Sequence, residues 1–113
     1  MIDGIYTAYM TGAAGQSLAM FVFSGGTIAG ADIAGITFSG TYDVVLNRMV
    51  GSVEYKMPAG TTSITGAVFE APSNVILVPI DLPTEIDPSE TYKITTPIGP
   101  VNAKFIKNIS LRG

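Results

Sequence analysis

Short segments in which apolar side chains occupy every second position constrain the fold of this chain more than any other feature. The clearest segment is Arg48–Met57, and a second covers residues 36–44, where we expect the even-numbered positions to face inward. A two-residue period is that of a β-strand with one buried face, whereas the 3.6-residue period of an amphipathic helix is hard to find anywhere. The sequence therefore predicts an all-β protein.

Turn-forming residues separate these segments, and their spacing indicates the architecture. Glycine and proline are frequent, with 13 and 7 residues, and they recur without a fixed period. We expect further strands at residues 4–10, 16–24, 27–30, 62–70 and 75–78, and a final hairpin that pairs 92–96 with 101–109. Pro79 and Pro83 remove hydrogen-bond donors, so the strand at 75–78 should be short or lie at an edge. Eight or nine strands roughly 8–12 residues apart, without crossover helices, predict an antiparallel barrel or sandwich.

The whole chain, residues 1–113, fits one domain. A chain of this length buries roughly two thirds of the surface that its unfolded form exposes, which suffices for a core without metal or disulfide support. Charged residues make up only 13% of the sequence, about half of the usual share of roughly 25%. Apolar residues occupy both faces of the segment 18–23, and a second copy of the chain would cover them. We therefore expect a homodimer.

Charge and cysteine content narrow the partners and the compartment. The formal net charge of −3 has the wrong sign for a surface that follows phosphates, so we expect no nucleic acid partner. The longest unbroken apolar run, Leu18–Phe23, is far shorter than the roughly 20 residues of a membrane span. The absence of cysteine suits a reducing compartment, and residues 1–4 lack the positive region of a secretion signal. We expect a soluble cytoplasmic protein without a membrane partner.

The sequence lacks the residue patterns that usually carry catalysis or metal binding. Without histidine or cysteine, a zinc site has none of its usual nitrogen and sulfur ligands, and a serine nucleophile has no imidazole base. The acidic residues of 81–90 are typical of a solvated connection, and Asp43 with Glu54 is kept as a formal acid–base pair. We therefore expect no enzyme, no metal and no cofactor.

Methionine and aromatic side chains occur at positions that we predict to face the interior. In a small barrel such residues most often fill the core, but a barrel of about eight strands can also hold one small apolar ligand. The candidate ligand-lining residues are Met20, Phe38, Tyr42, Tyr55, Met57 and Phe69. A lipocalin-like carrier or sensor of a small apolar ligand is therefore one functional hypothesis.

Several segments carry a family resemblance. The chain opens with Asp3-Gly4-Ile5-Tyr6, continues with a glycine-bounded hairpin over residues 26–33, and then has an aromatic residue and a glycine at Phe38 and Gly40. Further on come Glu54-Tyr55-Lys56-Met57-Pro58 and, late in the chain, Ala103-Lys104-Phe105-Ile106. In this order and spacing the segments resemble the GrlR-like family, named for the negative regulator of type III secretion. The clear resemblance covers about the first 60 residues.

The resemblance implies a fold and a role. It implies a small calycin-like up-and-down β-barrel that forms a homodimer and regulates by binding another protein. The family's namesake has an acidic run in the loop after the strand that matches Gly40, and this run contacts the partner. The matching stretch here is Thr41-Tyr42-Asp43-Val44, so Asp43 is the residue that the resemblance assigns to partner binding. The first functional hypothesis is a non-enzymatic binding module, and the carrier is the alternative.

Overall fold

The alternating segments fold into β-strands throughout the part of the chain that the computed structural model describes. It describes residues 3–13, 15–57, 61–62, 68–69, 74–97 and 99–111, with the backbone alone at 61–62, 68–69 and 74. The strands are β1 (Gly4–Gly12), β2 (Gly15–Ser24), β3 (Thr27–Asp32), β4 (Thr37–Val45), β5 (Arg48–Met57), β6 (Thr61–Thr62), β7 (Val68–Phe69), β8 (Asn74–Pro83), β9 (Tyr92–Thr96) and β10 (Gly99–Ser110). The described residues include no helix, and the predicted all-β class is confirmed.

Eight of the strands form one antiparallel up-and-down sheet that curls into a nearly closed barrel. Their order is β8-β5-β4-β3-β2-β1-β10-β9, so the last strand of the chain returns to pair with the first. The two edge strands, β8 and β9, lie close to each other, and their proximity decides between the two predicted architectures in favour of a barrel. The open seam lies between β8 and β9, and β6 pairs only with β7 beside the main sheet.

Alternation places one face of each strand inside the barrel. In β4 and β5 the inward residues include Phe38, Tyr42, Val53 and Met57, each less than a tenth exposed. The register pairs Gly40 with Val53 and Tyr42 with Gly51, so at these positions a glycine on one strand faces a larger residue on the other. The predicted inward sets of 36–44 and 48–57 are confirmed at these positions.

Two predicted orientations are wrong. Met20 was expected inside, but β2 turns Ala19, Phe21 and Phe23 inward and leaves Met20 51% exposed on the outer face. The pleat admits only one of the two sets, and the aromatic set fills the interior better. Val44 was also expected inward and is 56% exposed, because the β4–β5 hairpin projects past the end of the packed interior.

The strand predicted at 75–78 extends to Pro83 and does lie at the sheet edge, next to the seam. It is ten residues long instead of short, since it pairs with β5 over that strand's whole length. Proline is tolerated there because an edge strand needs ladder hydrogen bonds on one side only. Of the strand predicted at 62–70, the structure describes Thr61–Thr62 and Val68–Phe69, and the rest lies outside the described residues.

Candidate functional site

The barrel interior brings together four of the predicted ligand-lining residues. Phe38 lies at the centre, with its ring centroid 4.6 Å from that of Tyr55 and 4.8 Å from that of Phe21. Tyr42 and Met57 are 6% and 2% exposed. Met20 lies outside, and the side chain of Phe69 is outside the described residues. The interior is therefore an aromatic core in which the rings pack edge-on or tilted against one another.

Little space remains between these side chains. The interior cavity has a volume of about 30 Å³, and it is lined by Phe21, Phe23, Ile28, Val53, Tyr55, Ile80, Leu82, Ile94 and Phe105. A volume of this size admits one or two water molecules, and its apolar walls offer water few hydrogen-bond partners. Drug-sized ligands occupy pockets of roughly 300–1,000 Å³. The predicted ligand-lining residues thus serve as core in this conformation.

Burial also affects the acidity of the interior tyrosines. Removal from water, with a smaller contribution from the charge of Asp32, raises the pKa of Tyr55 to about 12. Burial raises the pKa of Tyr6 to about 12 as well. The Tyr42 hydroxyl donates a hydrogen bond to Asp3 Oδ1 at 2.8 Å, and burial followed by this bond raises its pKa above the ordinary value. All three phenols are therefore neutral at physiological pH.

The barrel end that holds the β4–β5 turn is acidic. A groove of about 510 Å³ there is lined by Asp3, Gly26, Tyr42, Asp43, Val44, Thr84 and Glu85. Two hydrogen bonds hold the Asp3 carboxylate in place. Oδ2 accepts one of 3.2 Å from the backbone N–H of Gly25, and Oδ1 accepts the one from the Tyr42 hydroxyl. Asp43 is exposed on the outer side of β4. The residue that the resemblance assigns to partner binding is thus accessible and has other carboxylates nearby.

The formal acid–base pair is not assembled by the fold. The β4–β5 register pairs Asp43 with Val50 and Ser39 with Glu54, which separates the two acids by four residues along the sheet. At about 3.3 Å per residue this is roughly 13 Å, and both side chains are exposed. Among the described residues, no three or more His, Cys, Asp or Glu side chains are grouped so that they could hold a metal ion.

The outer face of β1, β2 and β3 is uncharged, with apolar residues interspersed with threonine, serine and glutamine. In these fully described strands every outward side chain is neutral, the set being Ile5, Thr7, Tyr9, Thr11, Gln16, Leu18, Met20, Val22, Ser24, Thr27, Ala29 and Ala31. The other strands carry outward charges at Asp43, Arg48, Glu54, Lys56, Asp81, Lys93 and Lys104. We call this neutral surface the β1–β3 face.

The β1–β3 face contains a groove, which we call the outer groove. Small residues at Ala29, Gly30 and Ala31 form its floor, and larger side chains, among them Leu18 and Ile33, form its walls. Its volume is about 710 Å³, and Ile33 is 79% exposed beside it. Sequence analysis noted apolar residues on both faces of 18–23, but it could not show that small β3 residues lie beside them.

The turn between β4 and β5 falls between two predicted strands, but its exposed apolar tip was not predicted. Val44, Val45 and Leu46 are exposed at 56%, 55% and 91%, and we call these three residues the hairpin tip. Leu46 has a φ of 57°. The signal in the sequence was a run of three large apolar residues directly before Asn47, at the end of a predicted strand.

No family model, no curated protein and no solved structure matches this chain. The family resemblance therefore stays a prediction, and the inference of function has to rest on the surfaces just described. In the part of the chain that the structure describes, no helix is both long and apolar enough to cross a membrane.

Proposed function

We propose that this protein is a non-enzymatic binding module, a GrlR-like regulator that acts through protein–protein contacts in the cytoplasm and works as a homodimer. The observation that carries the proposal is the β1–β3 face, a neutral surface rich in apolar residues on an otherwise charged barrel. Contiguous apolar surface of this kind marks interaction sites in soluble proteins. Depletion of charge is also typical of the centre of protein–protein interfaces.

Covering this face supplies part of the free energy that a dimer needs. Leu18, Met20 and Ile33 are 37%, 51% and 79% exposed. Full burial of such a side chain contributes about 1.5–3 kcal/mol. Counting only the exposed fraction of each, covering all three on two copies contributes on the order of 5–10 kcal/mol. Association itself costs about 4–15 kcal/mol. Because a micromolar dimer requires a net gain of about 8 kcal/mol, the other contacts of the interface have to supply the difference. We expect a strong effect of any change at the centre of the face.

The interior supports the binding module over the alternative carrier. A carrier needs room for its ligand, and the interior cavity that the described residues line has a volume of about 30 Å³. A ligand of ten or more atoms could enter only if the packed aromatic core separated. The outer surfaces need no such rearrangement.

Asp43 is the proposed contact for a different protein partner. It lies on the acidic end of the barrel, in the same groove as Asp3 and Glu85. An acidic surface attracts a partner with basic groups and speeds its association at low salt. Such a partner would reach Asp43 without displacing a core residue, because its side chain is already exposed.

The test is sedimentation velocity on the wild-type protein and on two variants over about 1–200 µM. We expect a concentration-dependent dimer for the wild type. Met20→Glu places a charge in the β1–β3 face of each copy and should raise the dimer dissociation constant at least tenfold. Leu77→Glu is the matched control, because Leu77 is 57% exposed and outward on β8. A wild-type monomer throughout this range would refute the homodimer, and equal weakening by both variants would refute the assigned face.

A further inference from the structure

The turn at the hairpin tip contains a residue type that is unusual at its position. Val45 pairs with Arg48, so Leu46 and Asn47 form a two-residue turn. Such turns need positive φ at one or both central residues, and glycine, asparagine or aspartate usually supplies it. The chain itself uses glycine in the β2–β3 turn, where Gly25 and Gly26 have φ of 56° and 85°. At the β4–β5 turn a leucine takes the same unfavourable backbone conformation.

Among the described residues no side chain covers this leucine, although the Thr84 N–H supports the turn with a 3.0 Å hydrogen bond to the Asn47 carbonyl oxygen. The leucine side chain is 91% exposed, so it gains almost no packing in a single copy. Val44 and Val45 beside it are more than half exposed as well. Local strain that brings no local gain is a feature of functional sites. An apolar surface on another molecule would supply the missing contact.

The outer groove has the properties that such a tip requires. The small residues Ala29, Gly30 and Ala31 in its lining leave room above them for branched apolar side chains. The one acid at its edge, Asp32, is already engaged, since its Oδ1 accepts bonds from the backbone N–H groups of Ala34 and Ile36 at 2.8 and 3.0 Å.

Strand directions also allow a reciprocal arrangement. The hairpin tip lies at the barrel end where Gly25 and Gly26 join β2 to β3, and the backbone N–H of Tyr42 donates a 2.9 Å bond to Gly26 O there. Leu18 and Ile33 mark the part of the groove nearer the other end, where the Leu18 carbonyl accepts a 3.2 Å bond from Ile33. Two copies lying side by side in opposite directions would therefore bring each tip against the groove of the other.

The size of the β1–β3 face leaves room for such a contribution. Strands β1 and β2 have nine and ten residues and β3 has six, so at a spacing of about 4.8 Å the three cover at most roughly 14 by 30 Å, or about 400 Å² in projection. Each partner of a standard stable interface buries about 800 Å² of accessible surface, which is measured over the side chains and not in projection. Exposed apolar side chains near the face can add to it, and they include Ile106 and Ile109 on β10 beside β1 and the three residues of the tip.

We propose that in the dimer the hairpin tip of each copy inserts into the outer groove of the other copy. This inference rests on the proposed homodimer and names the element that occupies the groove. Each contact occurs twice around a two-fold axis, so residue pairs such as Leu46 and Ile33 meet reciprocally. The strained turn is then retained because it presents Leu46 to the second copy.

The first test separates association from folding. Leu46→Gly removes the apolar side chain and suits the positive φ, so the isolated monomer should melt at the same or a higher temperature. Its dimer dissociation constant should rise at least tenfold, whereas Leu46→Met should keep it within about threefold of the wild type. A purely structural role for Leu46 would instead lower the melting temperature in the glycine variant.

The second test locates the contact and uses the absence of native cysteine. Leu46→Cys and Ile33→Cys proteins are mixed and oxidised, and the disulfide-linked heterodimer is quantified by mass spectrometry. The control mixture pairs Leu46→Cys with Leu77→Cys. We expect several-fold more heterodimer from the first mixture, and equal yields would overturn the proposal. If Met20→Glu dissociates the dimer and Leu46→Gly does not, the inference fails while the proposed homodimer stands; a monomeric wild type removes both.

Discussion

Replacement of Phe38 by alanine tests whether the interior is a packed core or a ligand site. Phe38 is 3% exposed, and its ring contacts those of Tyr55 and Phe21 at centroid distances of 4.6 and 4.8 Å. Truncation of a buried phenylalanine destabilises a protein by about 3–5 kcal/mol, and the loss is largest where the surroundings cannot collapse. Barrel strands held on both sides by backbone hydrogen bonds collapse poorly. We therefore expect a loss near the upper end of this range.

Such a loss is a large part of the total stability of a single domain, which is about 5–15 kcal/mol. Urea unfolding followed by far-ultraviolet circular dichroism measures it, with Met20→Ala as a control of similar size on the outer face. We expect the control to change the free energy of unfolding by less than about 1 kcal/mol, because Met20 is half exposed. A loss below about 1.5 kcal/mol for Phe38→Ala would refute the packed core and restore the carrier as the better hypothesis.

Two further predictions concern close packing and pH. Gly51→Ala should destabilise the protein by about 1–3 kcal/mol, because an added Cβ would meet the Thr41 carbonyl oxygen and the Tyr42 backbone. Thermal melts measure this loss. In the same melts the control Gly15→Ala should be neutral or stabilising, because its added Cβ meets no atom within 4 Å. Because burial raises the pKa of Tyr55 from 10.0 to about 12, the unfolded state releases this proton first, and stability should fall as pH rises from about 10 through about 12. Urea midpoints between pH 9 and 11.5 should therefore decline less steeply in Tyr55→Phe than in the wild type, and identical slopes would contradict the buried phenol.

The proposed dimer gives the low charge of this chain a structural explanation. The uncharged outward residues are concentrated on β1, β2 and β3, whereas the remaining strands of the barrel have charged outer positions. Around a two-fold axis a surface meets a second copy of itself, so charged residues of one sign would repel each other unless they formed complementary pairs. A neutral surface avoids this repulsion.

Most of the local structure could be predicted because it depends on neighbouring residues. Alternation over Arg48–Met57 set which side chains share a face, and Gly25-Gly26 indicated a tight turn whose positive φ the structure contains. The inward positions of Phe38 and Tyr42 followed in the same way. The part of the candidate site that was predicted correctly, the aromatic interior, consists of such residues.

The sequence by itself determined the strand content, most of the turns and the division of each strand into two faces, because these depend on side-chain period and on glycine and proline. Only the tertiary structure decided which face of β2 is buried, since Phe21 and Met20 belong to equally apolar sets and the choice depends on distant strands. It also decided that the small residues of β3 lie beside Leu18 and Met20, and that Leu46 projects from the barrel in a strained turn. Those contacts join residues far apart in the chain, and no local pattern specifies them.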